Sequence, residues 1–177
     1  MKSTDLLIQE HKLILRALDV LDAMSVSIEK TGTCELADID RILDFLRSFA
    51  DAHHQAKEET VLFPALKSAA ATHGRSVDHM VLEHGHERSL VEQMEKDLRL
   101  ANLSEFVGRA NLLCSTLRNH IYKEDRILFA TADAILTTRE DDEVFERLSR
   151  FDTQLDKQAI DEKVKELRSL EWKHLRK

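Results

Sequence analysis

One ten-residue motif occurs twice in this chain. Residues 54–63 and 120–129 both read His-x2-Lys-Glu-acid-x2-Leu-Phe, with no gap between the copies when they are aligned. In a helix, a histidine and a glutamate four residues apart lie on one face, about 40° apart in projection. Such a pair can hold one metal ion or bridge two, so two copies indicate a two-centred site built from two half-bundles. The pairs are His54 with Glu58 and His120 with Glu124.

Four long helices are predicted to position these pairs. The chain has four Gly, one Pro and 5% aromatic residues, and good helix formers dominate it. Apolar residues recur in steps of three and four, and the predicted connections are short. This pattern predicts an all-α, up-down-up-down four-helix bundle. The predicted helices run from Ser3 or Thr4 to about Lys30, from about Leu36 to about Thr72 with a kink or interruption at Pro64, from about Ser76 to Leu100, and from about Ser104 to about Leu136.

Two further histidines lie in the apolar stripes of the first and third helices. They follow a glutamate in each case, as Glu10-His11 and Glu83-His84. Each half of the bundle is therefore a Glu-His helix followed by a His-x3-Glu helix. The same stripes place Val81 of the third helix and Ile127 of the fourth helix in the predicted core.

The C-terminal part of the chain has a different pattern. Residues 1–137 are predicted to form the bundle, and residues 138–177 a C-terminal helical extension. Val144, Leu148 and Phe151 give the extension a short apolar stripe. The extension packs either on the bundle or on a second subunit, which would make the protein a homo-oligomer. The sequence does not decide between these alternatives.

The predicted buried groups favour a metal centre with two ions. Four imidazoles and two carboxylates in apolar stripes would oppose folding unless they are partnered. Imidazole with carboxylate suits iron, manganese or zinc rather than calcium or magnesium. Two ions can each take two imidazoles, with both carboxylates bridging, and a solvent-derived oxo or hydroxo bridge leaves a position open for a small ligand. The predicted ligands are His11, His54, Glu58, His84, His120 and Glu124.

Charge and composition exclude several function classes. The net charge is −7 and there is no basic stripe, so nucleic acid is not an expected partner. No apolar run approaches the roughly 20 residues that span a bilayer, and the N-terminal residues do not resemble a secretory signal. Two cysteines without a Cys-x2-Cys motif indicate a reduced, cytoplasmic protein.

With these residues the chain resembles the hemerythrin-like (HHE cation-binding) family over residues 5–136. The resemblance rests on His11, His54-x3-Glu58 with the trailing Leu-Phe-Pro, Glu83-His84 and His120-x3-Glu124. It implies a non-haem di-iron centre in a four-helix bundle that handles dioxygen, nitric oxide or peroxide. Manganese or mixed iron–manganese centres share the same ligand set.

The sequence departs from the oxygen-carrying members of that family. Those members have a fifth histidine four residues after the third-helix histidine, where this chain has Arg88, and their second carboxylate is an aspartate five residues after its histidine. The symmetric set of four His and two Glu is similar to bacterial hemerythrin-like proteins linked to nitric oxide and oxidative stress. Members that repair iron–sulfur clusters often carry an N-terminal cysteine-bearing segment, which is missing before the first helix here, so that role is less favoured.

Three functions remain open at this stage. The first is binding or reducing a diatomic or peroxide ligand, as a sensor, scavenger or enzyme with an electron donor. The others are iron storage or delivery, and a regulatory module in which the centre changes oxidation state and the C-terminal helices change partner.

Two sets of neighbouring residues carry their own alternatives. Glu59 and Asp125 either orient ligand imidazoles or lie at the surface, and Arg88 either faces a bound anion, pairs with an acid such as Glu58 or Glu124, or lies at the bundle edge. The remaining histidines are predicted to lie outside the ligand set: His53, His73, His79, His86 and His174.

Overall fold

The computed structural model describes residues 2–69, 74–154 and 157–176, and all the secondary-structure elements in these ranges are helices. The all-α bundle predicted from the sequence is confirmed. The predicted end of the second helix near Thr72 and the histidine that follows it, His73, lie outside the described residues. The helices are α1 (Ser3–Thr31), α2 (36–69), α3 (Gly74–Arg99), α4 (103–135), α5 (Thr138–Gln154) and α6 (Lys157–Leu175).

The first four helices surround a common core. α1 contacts α2, α2 contacts α3, α3 contacts α4, and α4 packs back against α1. The first helix, α1, ends at Thr31 and is followed by a glycine. Gly32 has a φ of 69°, and its N–H bonds to the Ile28 carbonyl at 2.8 Å, which satisfies an end group of α1. Glycine tolerates this left-handed conformation without the steric cost that a side chain would add.

Wide π-helical turns interrupt α2 and α4 at the repeated motif. They span Leu46–Gln55 and Glu58–Leu62 in α2, and Glu124–Leu128 in α4. The helix is not interrupted at Pro64, because Phe63–Ala69 continues as α-helix directly after the second of these turns. A π-helical turn inserts a residue and rotates the following side chains, and such turns are frequent at functional sites.

The rotation explains why the prediction that Ile127 lies in the core is wrong. Ile127 is 61% exposed, whereas Leu128 and Phe129 are buried, so the apolar stripe of α4 passes from position 124 to position 128. A second wrong prediction is Val81, which is 37% exposed while Met80 takes its place in the core. The apolar stripe of α1 is buried as predicted.

The core consists of two apolar clusters with a polar layer between them. One cluster contains Ile14, Leu18 and Leu117, and the other contains Leu7, Phe63 and Phe129. The predicted ligand positions fall between these residues on every helix. Burial of each large apolar side chain contributes roughly 1.5–3 kcal/mol, so both clusters stabilise the helices that carry the polar layer.

The C-terminal helices pack on the bundle of the same chain. Leu167 and Leu170 of α6 lie in the main core cluster, and Arg16 of α1 donates two hydrogen bonds to Glu171 at 2.6 and 2.5 Å. Ser3 is the first residue of α1, and its hydroxyl donates a hydrogen bond to Asp141 of α5. The division into domains at residues 137 and 138, and a homo-oligomer through these helices, stay predictions. None of the described helices is long and apolar enough to cross a membrane.

Candidate metal centre

The structure brings all six predicted ligands together in the polar layer between the two apolar clusters. Each of them is at most 2% exposed. Two groups of side chains, each able to hold a metal ion, have their ligand atoms within 4.8 Å of one another, and the groups share Glu124. The first group is His11, His54, Glu58 and Glu124, and the second is His84, His120 and Glu124.

Each of the two glutamates lies between a histidine from one half of the bundle and a histidine from the other. The Oε1 atom of Glu58 is 3.6 Å from His54 Nε2, and its Oε2 atom is 3.5 Å from His84 Nε2. The Oε2 atom of Glu124 is 3.2 Å from the Nε2 atoms of both His11 and His120. Each glutamate therefore lies within reach of both halves of the bundle, Glu58 through its two oxygens and Glu124 through one.

A second ring of carboxylates fixes the outer nitrogen of every histidine in the layer. Such contacts set the tautomer of an imidazole and leave Nε2 as the metal-binding atom. The contacts follow the sequence repeat, because corresponding residues make corresponding hydrogen bonds. The Nδ1 pairs are His11 with Asp125 at 2.7 Å, and His54 with Glu10, His84 with Glu59 and His120 with Glu83, all at 2.8 Å.

The lysines of the repeated motif anchor this outer ring. Lys57, which is fully buried, donates to Glu10, and Lys123 donates to Glu83. Because a protonated lysine has no lone pair for a metal, its role here is to hold a carboxylate in place. The orienting alternative for Glu59 and Asp125 is confirmed. Roles for Glu10, Glu83 and the two lysines were missed, although the duplicated Glu-His pair and the repeated lysine were visible signals.

The pKa values of the histidines differ with their surroundings. Burial, together with the charge of His11, lowers the pKa of His54 to about 4. Burial opposes the charged form of His120, but Glu124 and its other acidic neighbours outweigh burial and raise its pKa to about 9. Burial also lowers the pKa of His84, in spite of its bond to Glu59. Without a metal, His54 is therefore neutral and His120 protonated at pH 7.

The two central carboxyls shift in opposite directions. Burial and the charge of Glu124 raise the pKa of Glu58 well above its usual value. Burial also opposes ionisation of Glu124, but His120 and His11 outweigh it and hold its pKa well below the usual value. The two carboxyls therefore hold their protons with very different strength in the metal-free protein, as expected for two acids in one dry site.

The central carboxylates fit a metal. Among the described residues, neither oxygen of Glu58 nor of Glu124 accepts a hydrogen bond, although both side chains are fully buried and have imidazole nitrogens 3.2–3.6 Å away. A buried carboxylate without hydrogen bonds costs several kcal/mol, and a divalent ion bound to those oxygens removes the cost. Nitrogen and oxygen donors in this mixture suit iron, manganese or zinc.

Arg88 lies outside this inner layer. Its guanidinium donates to Asp51 at 2.5 Å and to Glu59 at 2.6 Å. Of the sequence alternatives, pairing with an acid is therefore correct, but the acids are not Glu58 or Glu124. Glu59 in turn holds His84, so Arg88 supports the outer ring from the bundle surface, where its side chain is 32% exposed.

The other histidines within the described ranges are absent from both candidate metal groups. His53 is buried, and its Nε2 atom lies 3.2 Å from Glu10 Oε1. His79 lies 3.0 Å from Glu83, His86 is exposed, and His174 contacts Asp38 at 2.8 Å. Sequence reasoning also missed Glu87, a buried acid that is 4% exposed and whose counterpart in the other half of the repeat is Ile14.

Comparison with known proteins identifies the family. The model of the hemerythrin HHE cation-binding domain matches residues 2–132 of the chain. The chain therefore belongs to the hemerythrin HHE cation-binding domain family, and it carries a His/Glu group that could hold a metal. No curated protein matches the chain.

Proposed function

We propose that this protein holds two iron ions between the halves of its bundle and binds or reduces a small ligand there. The proposed ligand is dioxygen, nitric oxide or peroxide, and the proposed setting is a cytoplasmic stress response or sensing. One observation carries the proposal: two buried glutamates, each lying between histidines of both halves, have no hydrogen-bond partner among the described residues. The metal pair is proposed to be bridged by Glu58 and Glu124.

The chain's own residues would prepare the site before any ligand arrives. The carboxylates on the four Nδ1 atoms hold each imidazole so that Nε2 faces inward. The apolar clusters on both sides exclude bulk water, which strengthens electrostatic interactions inside. The iron pair would supply the redox chemistry, and the protein would supply geometry and restricted access.

The test is the metal content of protein grown without a metal supplement, measured together with its absorption spectrum. We expect two irons per chain and the near-ultraviolet charge-transfer absorption of a bridged iron(III) pair. Glu58→Ala combined with Glu124→Ala should remove at least one iron. A matched control replaces two exposed glutamates, Glu29 and Glu105, and should retain both irons.

Two results would contradict the bridged pair. One zinc per chain that is unaffected by the Glu58 and Glu124 double substitution would refute it. More than two irons per chain, lost readily to a mild chelator, would favour storage or delivery of iron instead. Single His→Ala substitutions are expected to lower both metal content and stability, because metal binding contributes to folding in such sites.

A second candidate, a redox-regulated interaction module, is favoured by one contact between the site and the C-terminal extension. Glu10 contacts both His54 and His53, and the ring of His53 lies 6.4 Å from the ring of Phe151 in α5. A change at the metals could thus reach α5 through three adjacent side chains. Hydrogen exchange of α5, compared between oxidised and reduced protein, should differ in the wild type and not in Phe151→Ala. Identical exchange in both oxidation states would exclude this module.

A further inference from the structure

The repeat that builds the metal centre is broken at one pair of positions. Three residues after His11 comes Ile14, and three residues after His84 comes Glu87. The residue after His120 is Ile121, and the residue after His54 is Gln55. The cleft between α1 and α4 therefore has two isoleucines next to the ligands, where the cleft between α2 and α3 has an acid and an amide.

The two clefts differ in packing as well as in polarity. Ile14 and Ile121 are both buried in the main apolar cluster. In the α2/α3 cleft, Gln55 donates to Glu87 Oε2 at 2.7 Å, and both side chains line a cavity of about 130 Å³. A cavity of this size has room for several water molecules or for one small molecule. One side of the centre is therefore closed, and the other is open.

The inner end of the cavity adjoins the ligand layer at His120. Glu87 Oε1 lies 3.9 Å from Nδ1 of His120, the nitrogen that also contacts Glu83, and it has no hydrogen-bond partner among the described residues. Buried polar atoms in folded proteins are normally partnered, so this oxygen marks the place of a ligand or solvent atom. At the outer end, the Arg88–Asp51 ion pair borders the cavity, and its side chains are 32% and 36% exposed.

The walls define the class of molecule that fits. Between the two ends the cavity is lined by the apolar side chains of Leu46, Ala50, Val91, Leu113 and Leu117, and Arg47 and Glu92 complete the lining. Both arginines of the lining are already paired with acids, Arg47 with Glu95 and Arg88 with Asp51, each at 2.5 Å. The carboxyl of Glu87 at the inner end further disfavours negative charge. A small uncharged molecule of two or three heavy atoms meets no such cost.

We propose that this α2/α3 cavity is the route by which a small uncharged ligand reaches the metal centre, and that Glu87 Oε1 is the polar atom that meets it there. The proposal rests on the proposed function, and it names the entry route and ligand class of the same site. Arg88 and Asp51 border the mouth, and the closed α1/α4 cleft provides no second path of this kind.

The first experiment examines the cavity without using any reaction of the metals. Crystals of the metal-loaded protein are placed under xenon pressure, since xenon occupies apolar cavities. We expect xenon between Ala50, Val91 and Leu113 in the wild type and none there in Ala50→Leu. Absence of xenon from this cavity in the wild type would overturn the route.

The second experiment measures nitric-oxide association with the iron(II)-loaded protein by stopped flow. Ala50→Leu should slow association by about tenfold or more, because a filled site in a close-packed interior opens only through fluctuations. Thr116→Leu is the matched control, since Thr116 corresponds to Ala50 in the repeat and does not line the cavity. Iron content and spectrum should be unchanged in both variants.

A second variant covers the case in which Ala50→Leu folds poorly. Combining Gln55→Ile with Glu87→Ile rebuilds the closed cleft that the chain already uses on the opposite side, and it should also slow association. Wild-type rates in this variant and in Ala50→Leu would overturn the route while leaving the proposed function intact. Failure of the iron-loaded wild type to bind nitric oxide would instead refute the proposed function, and the route with it.

Discussion

Metal binding at this site should release protons, and the pKa shifts name the groups that supply them. In the metal-free protein His120 has a pKa of about 9, so it must lose a proton before it can bind a metal. Burial and the charge of Glu124 raise the pKa of Glu58. Burial of His11 is outweighed by Asp125 and Glu124, which raise its pKa, so both groups hold their protons to higher pH than usual. His54, with a pKa of about 4, has none to lose at pH 7. Loading metal near pH 7 should therefore release at least the proton of His120.

The pH dependence follows with a definite sign. Each proton released raises the apparent metal affinity about tenfold per pH unit, so the proton of His120 alone gives roughly a tenfold rise per unit. The pKa of His120 is raised from its ordinary 6.5 to about 9, so the affinity should continue to rise up to about pH 9. Competition with a chromophoric chelator between pH 6 and pH 10, using zinc as the probe, measures this slope.

Calorimetry in buffers of different protonation enthalpy counts the same protons directly. His120→Ala should lower the count by about one. His174→Asn is the control, because His174 contacts Asp38 rather than the ligand layer, and it should leave the count unchanged. An affinity that levels off at pH 7, as for unperturbed histidines, would refute the reasoning.

Three further outcomes are expected from the outer contacts. Lys57→Met should lower the free energy of unfolding by about 3 kcal/mol, because it breaks a buried ion pair. Urea titration measures this loss, which should be smaller for Lys123→Met because Lys123 is 25% exposed. Asp125→Asn should weaken metal binding roughly 10–100-fold in chelator competition, with the fold retained by circular dichroism. Burial raises the folded-state pKa of Glu87 from 4.5 to about 7, so between these two pH values the wild type loses about 1.4 kcal/mol of unfolding free energy per pH unit. Glu87→Gln removes this loss, so in the metal-free protein the variant should gain stability relative to the wild type between pH 5 and pH 8.

The sequence predicted the bundle and the convergence of its six central side chains for one physical reason. A histidine or glutamate in phase with apolar residues must point into the core, and the regular period of α1 brought His11 there with Leu7 and Ile14. The same reasoning failed at Ile127, because it assumed a constant helical period through Glu124–Leu128. A π-helical turn changes the phase without a signature in residue type.

The outer ring shows a different limit of sequence reasoning. Whether Glu10 reaches His54 depends on the distance between α1 and α2. The periodicity of residues along either helix gives no information about that distance. The repeat nevertheless held the information in another form. Because Glu10 corresponds to Glu83 and Lys57 to Lys123, a contact within one half implies its counterpart in the other half, and the structure has both.

The symmetry of the centre is therefore most informative where it fails. Predicted ligands, orienting carboxylates and anchoring lysines all obey the repeat, so they support the proposed pair of ions alike in both halves. Equivalent ions in equivalent surroundings would give no reason for a ligand to prefer one side. Glu87 and Gln55 break that equivalence next to the ligand layer, and the cavity lies on their side alone among the clefts compared. In this proposal, one set of residues holds the metals and another admits the ligand. Substitutions in the second set can therefore change the rate of ligand association without changing the metal content.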